Sequence, residues 1–433
     1  MTNQPPAAKR FPVSRRRFLA TAGAVAAAPM FIPQRAFGAN DRVVTAHIGV
    51  GNMGTTNLMA FAENAAVACD VDAKMLATAS AKFQEKTGRR LEGASDFRRV
   101  LDRKDIDAVV ISTPDHWHAT VMIEACKAGK DVYCEKPLTL TIDEGKAMVA
   151  AARQHQRVVQ TGSQQRSDNT FRLACQLVRS GRIGKLTEVH VGIPGCNHPY
   201  RDRPPVADSA PPAELDYNFW LGPAPERPYN VDRVHYNFRF FWDYSGGQMT
   251  NFGAHHIDIA HWGMDVDESG PLSVEGTAEF HPQKWIEVTT ACRVTYRYPN
   301  DVTMIVGQEQ KDIRGGVRFI GTGGEIFVNR GVIESKPDDI LIDARKPGGT
   351  DGLVELYVSK NHHRNFLDCI ATRQRPICDV AIGHRGATAC HLGNIAVRTG
   401  RKLQWDAQAE QIVGDEAARA MQSRPRRDPW QLS

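Results

Sequence analysis

A glycine-rich turn between a β-rich segment and a helical segment constrains the fold of this chain most strongly. The strand-like residues 43–48 run directly into the motif Gly49-Val50-Gly51-Asn52-Met53-Gly54. In this setting the first glycine allows a tight turn, the second lets the backbone approach a pyrophosphate, and the third lets the helix pack against the strand. The motif therefore predicts a dinucleotide-binding (Rossmann) domain whose phosphates lie at the N-terminus of the helix, where Asn52 and Met53 begin it.

An acidic residue at the end of the second predicted strand strengthens this prediction. The strand covers residues 66–69 and ends at Asp70, 21 residues after Gly49. A carboxylate there can accept hydrogen bonds from the ribose hydroxyls and repels a 2′-phosphate, so the sequence favours NAD over NADP. An accidental turn is the alternative interpretation of the glycines alone.

Strand and helix patterns alternate as far as residue 160, which predicts βαβ units and a parallel sheet in residues 39–160. Ligands of such sheets bind beyond the carboxyl ends of the strands. Two predicted strand ends carry polar groups and are the expected cofactor contacts. The first supplies Thr113, Pro114 and His118, and the second supplies Glu135 and Lys136.

Lys136 is the candidate for chemistry at these strand ends. The following Pro137 restricts the backbone of Lys136 and thereby the direction of its ammonium group. A desolvated lysine of lowered pKa can bind a reacting hydroxyl and help to move its proton. The alternative is a solvated loop charge.

The pattern changes in residues 161–433. Alternating or β-branched runs separated by turns predict an α+β domain with an open, mostly antiparallel sheet. The segment 197–243 is rich in proline and aromatic residues and is expected to be an ordered loop rather than a linker. We expect substrate specificity to come from this loop and from Arg166, Tyr244 and His384.

One helix of this domain carries a column of polar residues. Asn251 is a candidate N-cap, and Asn251, His255 and Asp258 are spaced to share one helix face. A histidine there can accept the proton when a carbinol loses hydride. A capped helix with core histidines is the alternative. A metal site formed by His255, Asp258 and His261 is disfavoured, because there is no HExxH motif, and we expect no metal.

Together these residues resemble the glucose–fructose oxidoreductase / inositol dehydrogenase family of sugar dehydrogenases. The resemblance rests on the glycine motif, on Glu135-Lys136-Pro137, on residues 181–186 and on the helix with His255-x-x-Asp258. It implies that Lys136 and His255 are the catalytic pair, that Asp258 binds substrate hydroxyls, and that the second domain forms a homo-oligomer. Many members carry Asp where this chain has Asn251. An amide can still bind a substrate hydroxyl, so Asn251 is a candidate substrate ligand, but it cannot assist a proton relay as a carboxylate would.

The basic residues of the chain are concentrated at its start. The net charge is +5, but residues 1–38 contain six basic and no acidic residues, so the remainder carries −1 and nucleic acid binding loses its support. The arginines of Ser14–Leu19, the apolar run 18–33 and the small residues Ala36 and Gly38 resemble a twin-arginine export leader. A disordered basic tail and an uncleaved membrane anchor are the alternatives. The nine irregularly spaced cysteines are expected to be buried and free.

These features predict a periplasmic or secreted enzyme that oxidises a carbinol of a sugar, cyclic polyol or glycoside with NAD. Its partners are then a small-molecule substrate and the twin-arginine export machinery. A redox-neutral enzyme that recycles a tightly bound cofactor, as a glycosidase or by coupling two sugars, is one alternative. A non-catalytic sugar-binding sensor on the same scaffold is the other.

Overall fold

The computed structural model describes residues 42–299 and 301–432. The predicted export leader, residues 1–38, lies outside the described residues. Residues 43–432 form two large sheets, each with its own helices.

The first sheet has six parallel strands in the order β3-β2-β1-β4-β5-β6. A helix connects each strand to the next, as the alternating pattern predicted. The strands are Thr45–Ile48, Ala65–Cys69, Glu92–Ala94, Ala108–Ile111, Asp131–Glu135 and Val159–Gly162 (β1 to β6). The helices are Asn52–Ala60, Ala73–Thr87, Phe97–Leu101, Asp115–Lys127 and Ile142–Gln154 (α1 to α5).

The second sheet has nine strands in the order β13-β12-β11-β7-β10-β9-β8-β14-β15. Only the β7–β10 pair is parallel, so the predicted mostly antiparallel sheet is confirmed. The strands are Leu186–Ile193, Ser273–Phe280, Thr289–Arg297, Thr303–Gln308, Gly316–Gly321, Gly324–Asn329, Val332–Lys336, Leu403–Asp406 and Gln411–Val413 (β7 to β15).

Several helices of the second domain pack against this sheet and form a continuous apolar core with it. Residues such as Ile257, Phe319 and Leu392 are fully buried in it. The helices are Asn169–Arg179, Tyr217–Leu221, Gln248–Asn251, Gly253–Met264, Asp339–Ala344, His362–Thr372, Val380–Thr399 and Glu416–Ala420 (α6 to α13). The segment 197–243 is ordered around its own aromatic cluster, which includes Tyr217, Trp220 and Phe240.

Late parts of the chain return to the first sheet. Helix α11 places Phe366 and Ile370 in one apolar cluster with Tyr133 of β5. Near the end of the chain, Trp430 packs edge-on to Trp117, with ring centroids 4.8 Å apart. The dinucleotide-binding unit is therefore completed by residues far beyond its last strand, which a division at residue 160 does not show.

Local differences from the sequence predictions concern the polar helix most. Asn251 is not an N-cap, because it ends α8, and Phe252 occupies the cap position of α9. All nine cysteines are buried and unpaired, as expected from their irregular spacing. Within the described part of the chain, no helix is long and apolar enough to span a membrane.

Two helical glycines provide a test of the packing between α5 and α12. A Cβ added to Gly145 would lie 2.0 Å from Nδ1 of His384, whereas a Cβ on Gly386 would meet its nearest atom, in Asp258, at 3.8 Å. We expect Gly145→Ala to lower the free energy of unfolding by about 1–3 kcal/mol through overpacking. Gly386→Ala, the matched control, should leave it unchanged or raise it slightly, because alanine favours helices. Urea denaturation measures both, and equal effects would contradict this packing.

Candidate active site

A cavity of about 1040 Å³ lies at the carboxyl ends of the first sheet. The residues that follow β1, β2, β4 and β5 form one wall, and α8, α9 and the loop 197–243 form the other. The sequence-predicted residues on its wall are Gly49, Gly51, Asn52, Met53, Asp70, Thr113, Pro114, Glu135, Lys136, Asn251 and His255. Each domain therefore contributes predicted site residues to one space.

The glycine-rich turn has the shape that the motif predicts. Gly49 has a φ of +81°, and a Cβ there would lie 2.8 Å from the backbone of Thr113. A Cβ on Gly54 would lie 2.0 Å from the carbonyl oxygen of Gly49, so this glycine permits close packing although it is not on the cavity wall. A Cβ on Gly51 would meet nothing within 4 Å. The turn is tight on its protein side and open toward the cavity.

The N-terminus of α1 faces this open space without a side-chain cap. Such a helix end presents free N–H groups and the positive end of the helix dipole, which suit a phosphate. Asp70 stabilises the turn by accepting hydrogen bonds from the N–H groups of Val50, at 2.8 Å, and Asp72, at 3.0 Å. Burial raises the pKa of Asp70. The turn, the helix end and the acid fit a dinucleotide.

Lys136 reaches from the end of β5 to the second domain. Its Nζ donates to the amide oxygen Oδ1 of Asn251, at 2.8 Å, and to the backbone oxygen of the same residue, at 3.1 Å. Burial lowers the pKa of Lys136 to about 8, although Glu135 and Asp115 oppose this effect. The ammonium form therefore predominates at neutral pH, with its proton only weakly held.

The amide of Asn251 is oriented by its neighbours. Its Nδ2 donates to Oε1 of Gln248, at 2.9 Å, and Nε2 of Gln248 donates to the carbonyl oxygen of Gly195, at 3.1 Å. This chain of hydrogen bonds assigns Oδ1 to the side that faces Lys136. Asn251 thus binds the lysine, and it lies on the cavity wall.

His255 is a neutral imidazole beside this lysine. The residue is 7% exposed, and its Nδ1 has no hydrogen-bond partner among the described residues. Burial, together with the positive charges of Lys136 and Arg330, holds the pKa of His255 well below its usual value. A neutral histidine and a mostly charged lysine that line one cavity can accept and donate a proton, respectively.

The carboxylate of Glu135, the residue before Lys136, is buried and held by hydrogen bonds. Glu135 accepts hydrogen bonds from Nδ2 of Asn57 and Nε2 of Gln164, each at 3.0 Å. Asn57 in turn contacts Nε2 of His363, on α11, at 3.1 Å. Burial raises the pKa of Glu135, and these donors oppose that shift. The strand end is therefore fixed by α1, by α11 and by the segment after β6.

Arg166 and Asp258 do not reach the cavity wall, which corrects their prediction as substrate ligands. The Nε of Arg166 donates to both carboxylate oxygens of Asp258, at 3.0 and 2.8 Å. The other guanidinium nitrogens of Arg166 bind Asp267 at 2.9 and 2.6 Å. Arg166 and Asp258 are each 2% exposed. Helical spacing predicted that Asp258 would share a helix face with His255, but the buried Arg166, from another segment, pairs with Asp258.

Three other predicted residues also lie behind the wall. Tyr244 is fully buried against Trp220, with ring centroids 5.0 Å apart. Nδ1 of His118 contacts the carbonyl oxygen of Pro137 at 2.8 Å, and its Nε2 contacts that of Thr113 at 2.9 Å, so this histidine links the segments that follow β4 and β5 and is not on the cavity wall. His384 contacts Glu410 at 3.1 Å, away from the cavity.

Two arginines that sequence reasoning missed lie on the wall. Arg239 stacks on Tyr236, with its guanidinium carbon 3.8 Å from the ring centroid, and its buried Nη1 has no partner in the part of the chain that the structure describes. Arg330 reaches the wall from the turn between β12 and β13 and donates to Oε1 of Gln165 at 3.2 Å. Neither arginine belongs to a sequence motif. The aromatic segment 197–243 was predicted to contribute to specificity, and it contains Arg239 but not Arg330.

The described residues contain no cluster of three or more histidine, cysteine or acidic side chains arranged to hold a metal ion. Of the three residues considered as metal ligands, two bind other side chains. Asp258 binds Arg166, and Nε2 of His261 contacts the hydroxyl of Tyr298 at 2.7 Å.

Comparisons with known proteins agree with this architecture. Residues 44–163 match a family model described as oxidoreductase family, NAD-binding Rossmann fold. Residues 167–432 match one described as oxidoreductase family, C-terminal alpha/beta domain. The two matches cover both sheets and meet at the end of β6.

Individual relatives match over different lengths. Levoglucosan dehydrogenase of Pseudarthrobacter phenanthrenivorans is 34% identical over 146 residues, which cover 32% of this chain but only 37% of that protein. The scyllo-inositol 2-dehydrogenase (NAD(+)) of Bacillus subtilis is 31% identical over 298 residues, 66% of this chain and 73% of that protein. The crystal structure of an aldose–aldose oxidoreductase from Caulobacter crescentus, 20% identical, has the same fold, with a TM-score of 0.60 over 84% of this chain and 99% of that one.

Two alanine substitutions separate cofactor binding from folding. Gly51→Ala adds a methyl group only to the open side of the turn, so we expect unchanged stability without cofactor but NAD affinity about tenfold lower or worse, a loss of ~1.4 kcal/mol. Gly54→Ala should lower stability itself by about 1–3 kcal/mol, because its methyl group meets the Gly49 carbonyl. Thermal unfolding with and without NAD measures both. A Gly51→Ala protein that binds NAD normally would contradict the assigned phosphate site.

Proposed function

The chain belongs to the Gfo/Idh/MocA oxidoreductase family, and from that premise we propose that it oxidises a carbinol of a sugar, cyclic polyol or glycoside, using NAD. One observation carries the proposal. Lys136, from the first domain, and His255, from the second, lie on the wall of the cavity that the glycine-rich turn opens into. The names of the dehydrogenase relatives support the substrate class.

The residues present fit NAD. Gly49, Gly51 and the uncapped start of α1 would hold the pyrophosphate, and Asp70 would accept hydrogen bonds from the ribose. When bound, NAD supplies the hydride acceptor. A carboxylate at position 70 supports NAD over NADP, because it would repel a 2′-phosphate.

Lys136 and His255 divide the proton chemistry. The ammonium group of Lys136 donates a hydrogen bond to the reacting hydroxyl oxygen and orients it. The neutral imidazole of His255 accepts the hydroxyl proton as the carbinol loses its hydride. Asn251 acts through Lys136, because its amide oxygen receives the lysine hydrogen bond. Proximity and general-base assistance are the two sources of rate enhancement.

His255→Asn tests the base. Loss of a general base costs about 10²–10⁴-fold in rate, so we expect kcat to fall by that factor while NAD binding stays intact. The measurement is the rate of nicotinamide reduction, by absorbance, with a panel of sugars and polyols. His190→Gln, on β7 and away from the cavity wall, is the control. Near-normal hydride transfer in His255→Asn would refute the assignment.

The pH dependence of kcat/KM tests the hydrogen bond between Lys136 and the uncharged amide of Asn251. If the lysine must be protonated, kcat/KM falls as pH rises through about 8, its pKa in this site. Asn251→Asp places a negative charge against the ammonium group, which raises the pKa and moves this fall to higher pH. The cap substitution Asn361→Asp, at the start of α11, adds the same charge elsewhere and should not move it. A fall that stays in place in Asn251→Asp would contradict the role of Asn251.

We further propose that the chain is exported in its folded state, and this location supports a second candidate function. The arginines of Ser14–Leu19 are the basis for export by the twin-arginine machinery. Where free NAD is scarce, a bound cofactor has to be re-oxidised within each cycle, either by reducing a second sugar or by returning hydride after glycosidic elimination. The name of the aldose–aldose oxidoreductase favours the coupling of two sugars. Homo-oligomer formation stays a prediction.

Turnover without added NAD separates the two candidates. The purified protein is incubated with sugars and glycosides, and the products are analysed by mass spectrometry together with the nucleotide released on denaturation. A redox-neutral enzyme retains NAD and forms many equivalents of product. A simple dehydrogenase stops after one equivalent until an acceptor is added. Release of NADP instead of NAD would contradict the role given to Asp70.

A further inference from the structure

A second cavity, of about 460 Å³, adjoins the candidate active site. The end of β7, the loop between β10 and β11, and α9 form its wall. Phe252 lines both cavities. Of the adjacent residues Asn329 and Arg330, Asn329 lines the second cavity and Arg330 lines the first. The two cavities are therefore neighbours, with Phe252 on the wall of each.

His256 supplies an unused hydrogen-bond acceptor on this wall. The residue is 2% exposed, and its Nδ1 donates to the carbonyl oxygen of Gly192 at 3.0 Å. Its Nε2 has no partner within residues 42–299 and 301–432. Burial lowers the pKa of His256 to about 4, so the ring is neutral and Nε2 carries a lone pair at neutral pH. An unsatisfied buried acceptor is costly, and an O–H group would satisfy it.

The other groups of this wall narrow the chemistry of the occupant. Phe252, Ile193 and Ile313 offer apolar surface, while Glu309 and Gln310 offer polar atoms. The wall carries one carboxylate, that of Glu309, and one ammonium group, that of Lys311, so its charges balance and favour no ion of either sign. A neutral group with hydroxyls and C–H faces meets both kinds of surface.

We propose that the second cavity binds a second, uncharged sugar ring, linked to the ring that is oxidised at Lys136 and His255. Its hydroxyl donates to Nε2 of His256, and its C–H face packs on Phe252. The preferred substrate is then a disaccharide or a glycoside with a sugar-like second unit. This inference rests on the proposed function and adds the substrate class.

Two variants test this subsite without touching the catalytic pair. Gly315 lies on the wall, and a Cβ there would meet no atom within 4 Å, so Gly315→Leu fills the cavity without a clash at its first atom. His256→Asn can keep the donor to Gly192 through its amide nitrogen and removes the Nε2 acceptor. The probes are glucose, galactose and myo-inositol with one ring, and cellobiose, lactose and maltose with two.

We expect both variants to lower kcat/KM for the best two-ring probe by about tenfold or more, the effect of one lost hydrogen bond or of lost space. For the best one-ring probe the change should stay within about twofold, because the first cavity is intact. A crystal structure with NAD and the two-ring probe should place the second ring against His256. Parallel losses for both probe classes, or a second ring bound elsewhere, would overturn the inference.

Calorimetric binding of the two-ring probes separates this inference from the proposed function. If the wild type binds them, the variants weaken binding, and no hydride is transferred, the subsite stands and the proposed oxidation fails. If one-ring sugars are oxidised and the variants leave two-ring binding unchanged, the oxidation stands and the subsite fails. A wild type that binds no two-ring probe also overturns the subsite.

Discussion

The hydrogen bonds between Lys136 and Asn251 connect the two halves of the candidate active site. The lysine follows β5 of the parallel sheet, and the asparagine ends α8 of the second domain. Because the partner is an amide and not a carboxylate, the contact orients the ammonium group without adding a negative charge beside it.

Burial and charge together give Lys136 and His255 different protonation states. Both side chains are buried, which lowers both pKa values, and the charge of Lys136 lowers the pKa of His255 further. The lysine still keeps its proton near neutral pH, whereas the histidine does not. Two groups whose environments separate their pKa values in this way can serve as hydrogen-bond donor and base in one step.

The sequence predicted the parts that depend on local backbone rules. The glycine turn, the alternating strands and helices, Lys136 and His255 all follow from spacing that the backbone enforces. It did not predict which long-range partner each polar side chain meets. Asp258 was expected on the ligand face, but Arg166, 92 positions away, pairs with it. Arg239 and Arg330 reach the cavity from a loop and a turn that no motif marks.

Transfer of hydrogen from the sugar to the cofactor is the central claim, and isotope tracing tests it directly. A substrate sugar deuterated at the oxidised carbon is mixed with the purified protein and NAD, and the nucleotide is analysed by mass spectrometry. The account predicts that deuterium appears in the reduced nicotinamide for the wild type and at a greatly lowered rate for Lys136→Met. Reduction without deuterium, or an unchanged rate in Lys136→Met, would contradict it.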